Sequence, residues 1–583
     1  MPKNKKEIIS KISLDYAVPM VLYFLIYVIY TFPLIGQMGE VIIGLPGAKA
    51  DTPQVLSNLY LFKTGMAQGS VWHTKELFYP IGAATYMHGF MPGLGFLYWL
   101  FAEPNAFIFL NLFLILSFLL SGLGSYHLAL KFVKHKMAAL CCGFIYAFSA
   151  FKLGQFTDHY WYVINFTIPW YFLHFPAIFS FSTKQWPGIK SYKALFICLA
   201  LGIISASLDY YTTFFLIYTS LFYLSFTCFK PFKILNLKPV YKWLLFLSLL
   251  IISSNIVDLL RQYGFDDKHG LYWGGDIAGF ILPTYSRFLD FKLLSETTAN
   301  LFSKSILESN MFLGWSLILL FLYCIFLYIK TPNKSKAKIF LYMSLLLMIL
   351  CLPSLRLFGH TLIKTPTAFL HYVPFLNNLR VPTRWAMLLY LFIPIFCFLV
   401  LSKNDFWRNR ITQSAIFLGL LLFIEYFPKP YEFFNKNHDR VNALALKELP
   451  GDVMVHLPFG LSDGYKAVGN GDNRHMYLQT IHNKKLLGGY FSRLSEDVYD
   501  FYTGDAVMQN LLLLLEEKEL KTMSVNRQEA NNFINRFQPD IIYVDEAYKQ
   551  HKAFQYLKHV LEKQDIFSFT KINERTYTRS EVK

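Results

Sequence analysis

Residues 110–160 read LNLFLILSFLLSGLGSYHLALKFVKHKMAALCCGFIYAFSAFKLGQFTDHY. Two apolar runs, near 105–130 and 138–156, are each long enough to cross ~30 Å of hydrocarbon, which takes about 17 to 25 residues. A basic connection, 131–137 (KFVKHKM), joins them, and an acidic one, QFTDHY, closes the second. Lys and Arg near span ends collect on the cytoplasmic side. The stretch therefore predicts a polytopic helical protein with 131–137 inside and Asp158 and His159 outside.

The rest of the chain extends this pattern. Of 583 residues, 54% are apolar and 16% charged, against about a quarter charged in soluble chains. That balance excludes an ordinary soluble enzyme and a disordered or collagen-like chain. Further apolar runs fall near 16–36, 160–181, 191–208, 210–229, 242–258, 309–329, 338–354, 384–401 and 411–427, giving about eleven spans. With the amino terminus inside, the cytoplasmic segments are 1–15, 131–137, 183–193, 230–242, 330–338 and 402–410. They carry 21 Lys/Arg against Glu7, Asp15 and Asp405. Residues 430–583 hold 20 Lys/Arg and 21 Asp/Glu, so the formal charge of +17 belongs to the apolar part. No tract forms a basic face for nucleic acid, and no nucleic-acid partner is expected. The run 85–101 reads as a helix lying at the outer interface, since a twelfth span would place Lys131, Lys134 and Lys136 outside. The first span is too long, and Ala48-Lys49-Ala50 lies too far beyond it, for a cleaved signal peptide.

Two regions follow: a membrane domain, 1–429, with large outer loops at about 37–104, 259–308 and 355–383, and a soluble extracytoplasmic α/β domain, 430–583. In the latter, 441–449, 510–521 and 552–563 read as helices, and 452–458 and 540–545 as strands. The seven cysteines all lie in predicted spans or at the end of one, so neither a disulfide framework nor a zinc site is expected. No Walker loop, dinucleotide fingerprint or GxSxG is present.

The polar clusters collect on the outer side. Asp51, in ADTPQ just past the first span, suits a base that deprotonates a hydroxyl, or a cap for the helix that Pro53 begins. Asp158 and His159 suit hydroxyl binding or proton sharing, or simply a polar turn. Asp209, in SASLDYYTTFF, suits the same work or a helix cap. The loop 259–308 offers Tyr263, Phe265, Tyr272 and Trp273, fit for stacking on a sugar or for anchoring at the headgroups. LNNLRVPTRWAML puts Arg380 and Arg384 at a helix start, suited to an anion such as a lipid phosphate or to lipid headgroups. Lys152, Asn165 and His174 lie within spans, where helix-to-helix hydrogen bonding is the simpler use.

A first span, a large outer loop with an early acid, a short acidic second loop, a large fourth outer loop and a terminal extracytoplasmic domain together resemble the GT-C superfamily of integral-membrane glycosyltransferases, of the bacterial cell-envelope type. LRVPTRW, HLPFG (456–460) and LGGYFSR (487–493) resemble segments of bacterial relatives. The resemblance implies an enzyme of the bacterial cytoplasmic membrane that inverts configuration. It would move a hexosyl or pentosyl group from a polyprenyl-phosphate carrier to an envelope glycan, lipid or other hydroxyl acceptor. Asp51 would be the catalytic base; Asp158, His159, Arg380, Arg384, Asp209 and Trp273 would bind substrate. Ala50-Asp51-Thr52 departs from a paired-acid motif, so no metal and no cofactor is expected. The alternatives are a transporter or flippase for an envelope lipid or solute, and an inactive relative acting as a scaffold. A transporter would show ionisable residues in mid-span and related halves, and few such residues are present.

Overall fold

A computed structural model describes residues 5–86, 88–101, 103–180, 188–228, 255–257, 260, 262, 273–303, 305–330, 337–372, 379, 381–520 and 524–580. It falls into two compact units: Met1–Ile35 with Leu112–Tyr431, and Gly36–Asn111 with Glu432–Lys583. The loop 37–104, expected in the membrane domain, belongs instead with the terminal segment.

The first unit is helical. Helices fall on each expected apolar run except 242–258, which lies almost wholly outside the described residues. Among the described residues, three helices are long and apolar enough to cross a membrane: Ala106–Val133, Lys136–Gln155 and Pro382–Leu401. Shorter apolar helices include Tyr192–Leu208, Trp315–Lys330, Ala337–Leu350 and Ile411–Glu425. Every residue of Ala386–Leu401 is buried; a helix apolar on all sides is the centre of a bundle. Tyr23 fits against Gly122 and Gly143, where a Cβ would collide with its ring, and its hydroxyl donates to the Leu140 carbonyl at 3.0 Å. Small residues of this kind allow apolar helices to approach closely.

The run 160–181 is not one helix. It breaks into Tyr160–Val163 and Thr167–His174, because Asn165 turns its amide inward. The Nδ2 donates to the Tyr162 carbonyl at 3.0 Å, and the Oδ1 accepts from Lys152 Nζ at 2.9 Å and Ser121 Oγ at 3.3 Å. Lys152 is fully buried there and also donates to Ser121. This polar knot ties the break at Asn165 to two helices, Ala106–Val133 and Ala150–Gln155, the helix-to-helix hydrogen bonding expected of Lys152 and Asn165.

Two ends of this unit differ in chemistry. At one, Lys136 pairs with Asp15, and His135 Nε2 lies 3.3 Å from Thr412 Oγ1. Lys136–Gln155, at ~1.5 Å per residue about 30 Å long, leads from there to the other end, where His159, Glu308 and Arg384 gather.

The second unit is α/β. Its main sheet has five strands: β1 (Val453–Leu457), β2 (Lys485–Leu486), β3 (Ile541–Val544), β4 (Ser568–Asn573) and β5 (Thr576–Ser580). Their order is β2-β1-β3-β5-β4, with β2, β1 and β3 parallel and the last two antiparallel. The helix Thr52–Gln68 and the segment after it share its core, since Leu61, Phe62, Leu77, Phe78 and Phe90 pack with Val455, Leu486, Phe491 and Tyr502. Residues 76–79 also flank β2: Leu486 N–H donates to the Glu76 carbonyl at 2.8 Å and Tyr79 N–H to the Leu486 carbonyl at 3.1 Å. The helix Pro92–Leu100, within 85–101, has nine residues, about half of what a span needs.

His88 ties the two segments together. Its Nδ1 accepts from the Ser492 N–H at 3.0 Å, Nε2 lies 3.1 Å from Asn58 Oδ1, and its ring stacks on Phe491 at 4.3 Å. Burial pushes the imidazole down to about 3. A base depressed in the native state resists protonation that the unfolded chain accepts from pH ~6.5 downward. Acidification from pH 7 toward 4 is therefore expected to lower the stability of this unit by up to about 1.4 kcal/mol per pH unit from this residue. Unfolding followed by intrinsic fluorescence checks it, and His88→Gln should flatten the dependence.

Candidate functional site

The polar end of the first unit is built from short connections. Glu308 sits in the helix Ile306–Ser309, which Ser305 caps by accepting from the Glu308 N–H at 3.2 Å. Arg384 lies in the 3-10 turn Pro382–Trp385 and is 5% exposed. Its Nε donates to Glu308 Oε2 at 3.1 Å and its Nη2 to Oε1, a two-pronged pair. The guanidinium carbon lies 4.2 Å from the centre of the Tyr162 ring and 4.8 Å from that of Tyr211, and cations are attracted to such faces. Arg384 is thus a buried, paired and sandwiched cation, and a lipid phosphate would have to compete with Glu308 for its donors.

His159 stands beside the pair. Its Nδ1 is 2.8 Å from Gln155 Oε1 and 3.8 Å from Glu308 Oε1. With Nδ1 donating to the amide oxygen, the basic lone pair is on Nε2, the arrangement that second partners impose on working histidines. Asp158, next to it, is 7% exposed, and its N–H donates to the Gln155 carbonyl at 3.2 Å. The helix end at Gln155 therefore positions both residues.

Asp209 is a cap. Its carboxylate accepts from the Tyr211 N–H at 3.2 Å and the Thr212 N–H at 2.6 Å, at the start of Tyr210–Cys228. Burial raises its carboxyl, while those hydrogen bonds and the nearby Arg384 hold it down. Trp273 is partly buried beside Gly274, whose carbonyl accepts from Arg356 at 3.1 Å. Arg380, Tyr263, Phe265 and Tyr272 lie outside the described residues.

Glu308, the partner of Arg384, is the residue that the sequence reading passes over. It is an acid beginning an apolar run opposite a conspicuous arginine, but 76 residues separate the two, and no local period links them. Tyr162 and Tyr211 were hidden among 38 tyrosines.

In the second unit Asp51 occupies the N-cap position of Thr52–Gln68, with Pro53 in the first turn. Its side chain makes no hydrogen bond to the helix's opening N–H groups, so capping is not what the carboxylate does. The backbone before it is held by the terminal segment: the Asn473 N–H donates to the Ala48 carbonyl at 2.7 Å and Asn473 Nδ2 to the Ala50 carbonyl at 2.9 Å. Asp51 is thereby presented at a helix start on a braced loop, partly exposed.

No family model matches the chain, and no curated protein does. The fold is similar to solved structures of arabinofuranosyltransferase AftD from mycobacteria, at 13% identity and a TM-score of 0.48, covering 96% of this chain and 37% of that one. It is also similar to the oligosaccharyltransferase AglB from Archaeoglobus fulgidus in complex with an inhibitory peptide and a dolichol-phosphate, at 12% identity and a TM-score of 0.43, covering 97% and 74%. The apo form of the Archaeoglobus enzyme gives 12% and 0.46, covering 92% and 70%. This chain thus spans little more than a third of the arabinofuranosyltransferase.

Proposed function

We propose that the protein is an integral-membrane glycosyltransferase that moves a sugar from a polyprenyl-phosphate carrier to a hydroxyl of an envelope glycan or lipid, on the extracytoplasmic side and with inversion. The observation that carries the reading is Asp51: a carboxylate at a helix N-terminus, on a braced loop, that does not cap its helix. Its task is to take the acceptor's proton as the oxygen attacks the anomeric carbon. An oxocarbenium-like centre forms between the entering oxygen and the departing phosphate, on opposite faces of the ring. Phosphate is an anion stable enough to leave without a general acid, so one carboxylate suffices.

Asp158 and His159 bind hydroxyls of sugar or acceptor, His159 through Nε2. Arg384 and Glu308 act as positioning residues that hold His159's surroundings, and Asp209 serves by fixing the helix that carries Tyr211. Deletion of the gene tests the reading in cells: an envelope glycan should lose one defined sugar and regain it only with active protein. An intact glycan with mislocalised lipid would point to transport instead. Full complementation by Asp51→Asn would point to a scaffold.

A further inference from the structure

The terminal part of the second unit carries a cluster that sugar transfer does not use. β1 and β3 run parallel and end side by side, locked where the Asp545 N–H donates to the Leu457 carbonyl at 2.9 Å. From β1 the chain passes through Arg474–His482 to β2 on one flank; from β3 it passes through Lys552–Lys563 to β4 and β5 on the other. Where connections from neighbouring parallel strands part in opposite directions, a crevice opens beyond their carboxyl ends, and α/β sheets bind ligands there.

Asp472, His475 and Asp545 occupy that place, with one donor atom of each within 4.8 Å of the others. Asp472 and His475 are buried and Asp545 is partly exposed. His475 Nε2 lies 3.2 Å from Asp545 Oδ2, the spacing of neighbouring ligands around one ion bound at about 2.0 to 2.2 Å. His456, the penultimate residue of β1, is 2% exposed; its ring centre lies 4.4 Å from that of His475, and its Nδ1 has no hydrogen-bond partner among the described residues. Arg474 Nε donates to Asp472 Oδ1 at 3.0 Å and Oδ2 at 2.9 Å. The Arg474 Nη2 and backbone N–H also donate to Oδ2 and Oδ1, so the arginine occupies the carboxylate's roughly four acceptor positions, and a cation at Asp472 would have to displace part of this fork.

We propose that Asp472, His475 and Asp545 bind one divalent transition-metal ion, of the Zn²⁺ or Mn²⁺ type, with His456 available as a further ligand. An imidazole with two carboxylates suits such ions, whereas Ca²⁺ and Mg²⁺ prefer oxygen alone. The ligand loop also grips the segment before Asp51, through Asn473 on Ala48 and Ala50 and through Lys49 Nζ, which donates to the Gly471 carbonyl. A bound ion would therefore stiffen the loop that presents Asp51. That consequence rests on Asp51 being the base; ion binding itself does not.

The test uses full-length protein in detergent, stripped with chelator, exposed to Zn²⁺ or Mn²⁺ alone, desalted and assayed for metal by mass spectrometry and for thermal unfolding. The expected result is about one ion per chain and a raised unfolding temperature. Asp545→Asn and His475→Gln should each lose affinity at least tenfold, and Arg474→Gln should bind more tightly. A purely structural ion pair would instead be weakened by Arg474→Gln, with no response to metal. Wild-type protein that retains no ion, or retention unchanged in Asp545→Asn and His475→Gln, would overturn the proposal. If the ion binds but its removal leaves transfer unaltered, the link to Asp51 falls and the site stands. If Asp51→Asn transfers normally while the ion is retained, the base assignment falls and the site stands.

Discussion

Asp51→Asn protein, folded and inserted in membranes, is expected to transfer sugar some 10² to 10⁴ times more slowly than wild type, the usual worth of a positioned general base. The change keeps the side chain's size and removes only its capacity to take a proton. Since Asp51 does not cap Thr52–Gln68, the helix should survive, and the loss should fall on turnover more than on donor affinity. Initial rates with lipid-linked sugar, alongside thermal unfolding of the same preparation, separate chemistry from folding. Asp51→Glu, with the carboxylate one methylene further out, should restore part of the rate.

The second large effect concerns stability. Glu308→Gln leaves Arg384, 5% exposed, without the carboxylate that grips it and with Asp209 as the nearby negative charge, and breaking a buried pair in this way costs about 3–5 kcal/mol. Tyr162 and Tyr211 attract the guanidinium, each ring face being worth about 2 kcal/mol or more when dry, and so offset part of the loss without neutralising the charge. Thermal unfolding in detergent should show the loss. Replacing both partners together, Glu308→Leu with Arg384→Met, should recover most of it, because similar apolar volume removes the unpaired charge. Transfer should not return with stability in the double variant, since His159 would have lost the carboxylate 3.8 Å from its Nδ1.

What the sequence made legible was whatever depends on local pattern. Apolar runs marked the helices, the lysine alternation grouped 1–15 with 131–137, and Lys136 does pair with Asp15. In the terminal segment, strand propensity marked Val453–Leu457 and Ile541–Val544, and a period of 3.6 marked Lys552–Lys563. What stayed hidden depends on partners far along the chain. His88 meets Ser492 across 404 residues, and nothing in either neighbourhood announces that 36–111 folds with 432–583. The break in 160–181 was masked for a related reason: Asn165 reads as a polar residue in a span until Lys152 and Ser121 are seen to need its oxygen. Of the site, the acids and His159 were visible as lone polar residues in short connections. Their orientation by Gln155, and the capture of Arg384 by Glu308, were not.

The account turns on bond exchange at a lipid-linked sugar. Purified protein in vesicles, given a synthetic polyprenyl-phosphate sugar of known anomeric configuration and a glycan acceptor, should release polyprenyl phosphate in step with a glycoside of the opposite configuration, followed by NMR. Retained configuration would contradict the single-displacement step, and sugar crossing the bilayer with its phosphate bond intact would contradict the enzyme.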